Sequence, residues 1–384
     1  MNRIYIDNAA TTKTDDEVLE YMLPYLKDEF GNASSIHSFG RSAKVLLEEA
    51  RDTVAAFIGA NSKEIFFTNS GTESNNFAIK GLAFKHLHTG KNHIVTSSVE
   101  HLAVLDTLRY LSDEFNFNIT FVKPGKNGFI NPYDIEASIK PETLLVTVMH
   151  SNNETGVIND IKLISDISSE KNVYCHTDSV QSIGKTKFNV KVLGVNFATL
   201  SAHKIYGPKG IAALYIKDKT PVHKLIHGGK QERDMRGGTE NIASIAGLKK
   251  AIESVRDNFE YDQKHYSDLK QYAIKNLYSN FKDTVIFNSH TENSLPNIIN
   301  ISFDKNKTEY DEEMILIKLD LKGIAVSGGS ACTSGTHQPS HVLTELGIDK
   351  KTALGSIRIS FGRNNTNSDT DYLISCLKDI IKFK

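Results

Sequence analysis

Two charged residues stand where a solvated charge would not normally be placed. Asp178, in His176-Thr177-Asp178-Ser179-Val180-Gln181, and Lys204, in Ser201-Ala202-His203-Lys204-Ile205-Tyr206, each end an apolar run that reads as a buried strand. A lysine amine at a strand end can form a Schiff base, and an aspartate on a neighbouring strand can hold a protonated pyridine nitrogen. Those are the two requirements for using pyridoxal 5'-phosphate (PLP) as an electron sink. Taken singly, Asp178 is equally a capping or turn aspartate and Lys204 an ordinary solvated lysine. Both at once, at the ends of adjacent strands, point to a site. The rigid turn Gly207-Pro208-Lys209-Gly210 helps to fix the lysine.

Other clusters could serve the same chemistry. Asn69-Ser70-Gly71-Thr72-Glu73 follows an apolar run and opens a helical pattern. Free N–H groups, a glycine and the Thr72 hydroxyl make a phosphate seat there, or an ordinary N-cap. The loop is neither a Walker A loop nor a GxGxxG fingerprint, so NTP and NAD readings lose their main support. His101 could stack on a planar cofactor and shuttle protons, or simply cap a helix. Asn153 and Gln181 are neutral amides just beyond strands, able to bond a phenolate-type oxygen or to form turns. Arg358 alternates with apolar neighbours and could bind a carboxylate in bidentate fashion, or lie exposed on its strand.

Cys332 sits in Ser327-Gly328-Gly329-Ser330-Ala331-Cys332-Thr333-Ser334-Gly335, a small-residue stretch without apolar periodicity. A thiol on such a loop suggests access and movement, whereas Cys175 and Cys376 lie in apolar patterns and read as packing. A metal reading would recruit His337 and His341 beside Cys332, but Pro339 interrupts the helix that would align them.

The elements that must position these groups alternate strand and helix from about residue 60 to residue 220. Strands are expected at Ile65–Thr68, His93–Ser97, Ile119–Val122, Leu144–Met149, Val173–Thr177, Phe197–Leu200 and Ile211–Ile216. Helices fall at Thr72–Phe84, Leu102–Ser112 and Ile161–Ser169. This alternation predicts an α/β fold with a mostly parallel central sheet flanked by helices, whose ligands gather at the carboxyl ends of the strands. A long helical stretch from Asn241 to about Phe281 leads into a smaller α+β domain. That domain has strands near Val285–Asn288, Ile298–Phe303 and Ile357–Phe361 and helices near Asp311–Leu321 and Ser368–Ile381. The expected division is a large domain over 14–256 and a small domain formed by 1–13 and 257–384. The small domain carries the cysteine loop at about 327–340.

With 384 residues, 24% charged and 39% hydrophobic, the chain has the composition of an ordinary soluble globular protein of more than one core. A formal net charge of −1 leaves no electrostatic footprint for nucleic acid, and no apolar run approaches a membrane span. Three scattered cysteines form neither a disulfide framework nor a CxxC site, and no signal-peptide pattern opens the chain, so a cytoplasmic location is expected.

In their order along the chain, these motifs resemble the cysteine desulfurases of the NifS/IscS type, PLP enzymes of fold type I in the class V aminotransferase-like family. The likeness takes in Tyr5-Ile6-Asp7-Asn8-Ala9-Ala10-Thr11-Thr12, Phe30-Gly31-Asn32, Thr72-Glu73-Ser74, Glu100-His101, Asn152-Asn153-Glu154 and His176-Thr177-Asp178. It continues through Ser201-Ala202-His203-Lys204, Arg236-Gly237-Gly238-Thr239 and Ser330-Ala331-Cys332-Thr333-Ser334. The resemblance implies that Lys204 carries the Schiff base, Asp178 pairs with the pyridinium nitrogen, and Asn153 and Gln181 contact the ring oxygen. It implies that His101 stacks on the ring and assists proton transfers. Gly71, Thr72, Ser201 and His203 would hold the phosphate, with Thr239 supplied by the other subunit of a homodimer. Arg358, with Asn32 nearby, would bind the carboxylate of L-cysteine, and Cys332 would take the sulfur as a persulfide and pass it to an acceptor protein. That acceptor is an iron–sulfur scaffold or a thiolation enzyme. Alternatives are a PLP-dependent selenocysteine lyase or C–S β-lyase and, in another class, a metal- or cluster-binding assembly protein using Cys332, His337 and His341.

Overall fold

The computed structural model describes residues 3–289, 292–328 and 338–384. The short strand β1 (Ile4–Tyr5) precedes two helices, α1 (Asp16–Lys27) and α2 (Ser38–Ile58). Seven strands then build the main sheet: β2 (Ile65–Thr68), β3 (His93–Ser97), β4 (Asn118–Val122), β5 (Thr143–Thr147), β6 (Tyr174–Asp178), β7 (Phe197–Ser201) and β8 (Ala212–Ile216). Their spatial order is β2-β8-β7-β6-β5-β3-β4. The pairs from β7 through β4 are all parallel, and β8 alone runs antiparallel to both of its neighbours. The sequence reading did not assign that reversal. Only residues 202–211 separate β7 from β8, too short a stretch for the crossover that parallel strands need.

Every residue of β2, β3, β5, β7 and β8 is buried, the pattern of strands covered on both faces, whereas edge strand β4 is only partly covered. Alternate side chains feed two apolar layers. Val95, Val146 and Ala198 join one, and Ile94, Leu145 and Phe197 join the other. The covering helices include α3 (Gly71–Lys85), between β2 and β3, and α4 (Leu102–Phe115), between β3 and β4.

A 40-residue helix, Ile242–Phe281, links this body to a second core. Its first half gives Ile245, Leu248, Ile252 and Val255 to the main core; its second half gives Leu269, Ala273, Leu277 and Phe281 to the other. Strands β9 (Val285–Phe287), β10 (Ile298–Phe303), β11 (Thr308–Glu309), β12 (Ile324–Ala325), β13 (Ile357–Ser360) and β14 (Lys382–Phe383) follow. They form the antiparallel sheet β13-β10-β9, the parallel pair β1-β12 and the pair β11-β14. The chain's beginning is thus built into its last third.

Several boundaries move by one to four residues, two of them with a visible cause. The helix expected from Asp311 begins at Ile315, because Asp311 Oδ1 accepts the Glu313 and Met314 N–H groups and holds the intervening residues in a turn. The strand expected to run to Met149 ends at Thr147, where the chain leaves the sheet to form a wall of the site described next. Among the described residues no helix is long and apolar enough to cross a membrane.

Candidate active site

Strand β6 ends on Asp178; adjacent β7 ends on Ser201 and passes directly into a tight turn, Ala202–Lys204. The two strands pair in parallel with Asp178 opposite Thr199, so both charged residues emerge at the same carboxyl edge of the sheet. They line one cavity of about 390 Å³, together with Gly71, Thr72, His101, Asn153, Gln181, Ser201, His203 and Arg358. A larger open groove of about 680 Å³, with Phe57, Phe188 and Phe259 in its walls, lies elsewhere and contains none of these groups.

The Asp178 carboxylate is 8% exposed and accepts from Asn75 Nδ2 at 2.7 Å and from the Val180 N–H at 3.0 Å. Two neutral donors orient it and leave a lone pair for a third N–H. Asn75 follows Gly71 by one turn of α3, so a single helix both begins at the cavity and orients the aspartate. At that helix start Ser70 accepts the Glu73 N–H, and a side chain at Gly71 would press to 3.0 Å from Val180 Cγ2. Gly71 and Thr72 of this first turn, with Ser201 and His203 across the cavity, could hold an anion. Burial pushes the His203 imidazole down to about 4, with Lys204 and Lys209 adding to the effect. It is therefore a neutral hydrogen-bonding group near neutral pH.

His101 caps α4: its Nδ1 accepts the Ala103 N–H at 3.1 Å. Nδ1 is thereby committed as an acceptor, and any proton the ring carries or passes on sits at Nε2. Lys204 Nζ donates to the carbonyls of Ala9 and Ala10 at 2.5 and 2.7 Å, and Gln181 Nε2 donates to the same Ala9 carbonyl at 2.9 Å. Arg358, 3% exposed, spans the site: Nη1 donates to the Asn153 carbonyl and Nη2 to Asp7 Oδ1, both at 2.9 Å. Its Nε, like the buried Asn153 Oδ1, has no hydrogen-bond partner among the described residues.

Asn32 and Thr239 do not join this cavity. Both are exposed, and Asn32 Oδ1 accepts the Ser34 N–H within its own turn. Cys332 and His337 lie outside the described residues. His341 Nε2 is 3.0 Å from the Glu100 carbonyl. Asp7, Ala9, Ala10, Asn75, Met149 and Ser151 belong to the site or support it, yet the sequence reading assigned them no role. Only Asn75 left a local signal, its spacing of four from Gly71. Met149 and Ser151 follow β5 beside Asn153, while Asp7, Ala9 and Ala10 are brought in by contacts across the chain.

A lysine and a carboxylate at neighbouring strand ends, an anion seat at a helix start, and an unpartnered buried amide oxygen between them fit a phosphorylated pyridine aldehyde. The fold and the cavity together define a PLP-dependent enzyme. The family model for class-V aminotransferases matches residues 4–373. The cysteine desulfurase IscS of Dictyoglomus turgidum is 45% identical, over 99% of this chain and 94% of that one. Among solved structures, a NifS-like protein superposes with a TM-score of 0.90 at 35% identity, over 98% of each chain. SspA in complex with cysteine does so with a TM-score of 0.82 at 36% identity, over 93% of this chain and 98% of that one. The chain belongs to the class-V aminotransferase family and, within it, to the cysteine desulfurases of the IscS and NifS type.

Proposed function

We infer that the protein is a PLP-dependent cysteine desulfurase that converts L-cysteine to L-alanine and takes the sulfur as a persulfide on Cys332. The observation that carries this reading is the convergence of Asp178, Lys204 and Arg358 on one cavity. A cofactor site and a carboxylate site therefore lie within one substrate's reach. That a solved neighbour 36% identical holds cysteine supports the substrate.

PLP, when bound, supplies a ring that withdraws the electrons left at the substrate Cα once its proton is removed. Asp178 would hold the ring nitrogen, Asn153 and Gln181 the ring oxygen, and Gly71, Thr72, Ser201 and His203 the phosphate. Lys204 Nζ would hold the aldehyde and would accept the proton leaving the substrate Cα. Arg358, which lines the cavity, would bind the substrate carboxylate while Asp7 and the Asn153 carbonyl keep the guanidinium in plane. His101, with Nδ1 occupied by the Ala103 N–H, would carry a proton at Nε2 and would deliver it as the carbon fragment is released. Cys332 Sγ, as thiolate, attacks the substrate sulfur. The S–S bond forms as the Cβ–S bond breaks, and the electron pair stays with the carbon fragment, which becomes alanine on protonation.

A homodimer accounts for Thr239, which is exposed and off its own cavity, and for the exposed apolar side chains Leu26, Phe30, Ile36 and Phe39 around α1 and α2. Asn32 lies in the same stretch. The separate apolar cores support division into a large domain, 14–256, and a small domain, 1–13 with 257–384. A cytoplasmic sulfur-acceptor protein, a scaffold for iron–sulfur clusters or a thiolation enzyme, completes the cycle. The test is Cys332→Ser with L-cysteine and a reductant. Alanine and sulfide production should fall to background while cofactor absorbance is retained; undiminished sulfide release would instead identify a C–S β-lyase.

A further inference from the structure

Glu100, immediately before His101, has no place in the chemistry above and yet is fully buried. Its carboxyl oxygen Oε1 lies 2.5 Å from Ser97 Oγ at the end of β3 and accepts the Met149 N–H at 3.0 Å, just past the end of β5. Its backbone carbonyl faces His341 Nε2 at 3.0 Å. Oε2 has no partner among the described residues. An ionised carboxylate with one bare, buried oxygen is among the costliest groups a protein can hold, whereas the neutral acid leaves only a carbonyl oxygen unpaired. The Ser97 hydroxyl and the Met149 N–H both donate to Oε1 and favour the charged form, but complete burial with Oε2 bare outweighs them and keeps the acid neutral. The charged and titratable groups around it do not oppose this. Asp178 on β6 is negative, His101 and His341 flank the backbone, and Glu345 is bonded to Ser98 Oγ. Burial, reinforced by Asp178, raises the Glu100 carboxyl to about 8.

We propose that Glu100 is a positioning residue: as an uncharged carboxylic acid it ties the ends of β3 and β5 together beneath the cavity and so aims His101. The two strands are neighbours, and the loops that leave them carry His101 on one side and Met149, Ser151 and Asn153 on the other. A second stitch, Asn152 Nδ2 to the Val99 carbonyl at 3.1 Å, crosses the same gap. Glu100 is the link attached directly to the peptide that carries the histidine. The role of His101 rests on the desulfurase reading, but the protonation state of Glu100 does not.

The experiment compares wild type with E100Q and E100A. In holoenzyme, E100A should lower kcat roughly 10- to 100-fold with KM for L-cysteine nearly unchanged, since a slight misplacement of a catalytic group has that scale of effect. It should also shift the absorbance of the bound cofactor, and E100Q should recover most of both. In apoprotein, thermal melting reads the proton itself. Between the ordinary value of 4.5 and about 8 the unfolded chain loses a proton that the native state keeps, so wild-type stability falls as pH rises through that window. Glutamine has no such proton. The melting temperature of E100Q minus that of wild type should therefore grow by several degrees, approximately, from pH 5.5 to 8.5. A constant difference across that range overturns the neutral acid, and E100A with wild-type kcat and spectrum overturns the positioning. If E100A does not fold, E100Q decides: damage to kcat with no pH-dependent gain in melting refutes the proposal. A wild-type enzyme inactive on L-cysteine but showing the divergent melts would refute the desulfurase reading alone.

Discussion

Replacing Asp7 with asparagine should make the enzyme less stable and bind L-cysteine more tightly. Asp7 Oδ1 accepts from Arg358 Nη2 at 2.9 Å, and its other oxygen accepts from Ser327 Oγ at 2.7 Å. The side chains of the pair are 4% and 14% exposed, so their interaction is little screened. Removing one partner of a buried pair costs roughly 3–5 kcal/mol, and less here, about 1–3 kcal/mol, because asparagine keeps an acceptor toward Nη2. Apoprotein melting should fall by roughly 1–4 °C. Substrate binding moves the other way. A carboxylate bound to the guanidinium would lie on the order of 6 Å from Asp7. At an effective dielectric of about 20 the two anions repel by about 3 kcal/mol. Half of that, after relaxation and residual water, is still roughly a tenfold change in affinity. KM for L-cysteine in D7N should therefore drop by about that factor, while kcat changes less. D7A separates charge from aim. It removes the same repulsion but leaves nothing to hold Nη2, so its KM should exceed that of D7N. Steady-state kinetics on both variants, with melts in the presence and absence of L-cysteine, read each effect. If D7N raises KM as much as D7A does, Asp7 does not compete with substrate and the electrostatic argument fails.

Other perturbations probe separate parts of the site. Lys204→Ala should abolish borohydride-fixable cofactor while leaving the fold intact, and any residual covalent attachment would mean another lysine holds it. Asp178→Asn removes the charge facing the ring but keeps the side chain near Asn75 and Val180. It should cost kcat at least about 100-fold and shift cofactor absorbance, and a variant with wild-type kcat would dismiss the pyridinium contact. Tyr206 sits two residues past Lys204 with φ +65°, its hydroxyl bonded to Tyr266 at 2.7 Å and to the Arg363 N–H at 3.0 Å. Tyr206→Phe should destabilise by about 1–3 kcal/mol through the stranded partners, measurable in urea melts. Acid should weaken the protein early. Burial lowers His150 and His176 to about 4 from an ordinary 6.5, so the unfolded chain takes up protons in that window and the native state does not. Stability should fall as pH drops from about 6.5 toward 4, and His176→Asn should flatten that slope in melts at successive pH values.

What could be read from the sequence was what local pattern encodes. Strand β6 ends on Asp178 and β7 leads into Lys204 as their apolar runs require, and α3, α4 and the 40-residue helix lie where periodicity placed them. Helix α2 was legible but unassigned: Ala43, Leu46, Leu47, Ala50, Val54 and Ile58 recur at helical spacing. The N-terminal wall of the site was not legible. Ala9 and Ala10 offer only backbone carbonyls to Lys204, at separations of 195 and 194 residues, and no side-chain pattern announces a carbonyl. Asp7 meets Arg358 across 351 residues because β1 pairs with β12 and Asp7 bridges to Ser360 of β13. This dependence has a functional consequence. Lys204 and Asp178 stand at the ends of adjacent main-sheet strands, with Lys204 also bonded to the Ala9 and Ala10 carbonyls, whereas Arg358 is carried by β13 and held by Asp7 and the Asn153 carbonyl. A change at Asp7 should therefore act on Arg358 before it acts on Lys204, and D7N, which should lose no cofactor, is the variant that separates the two.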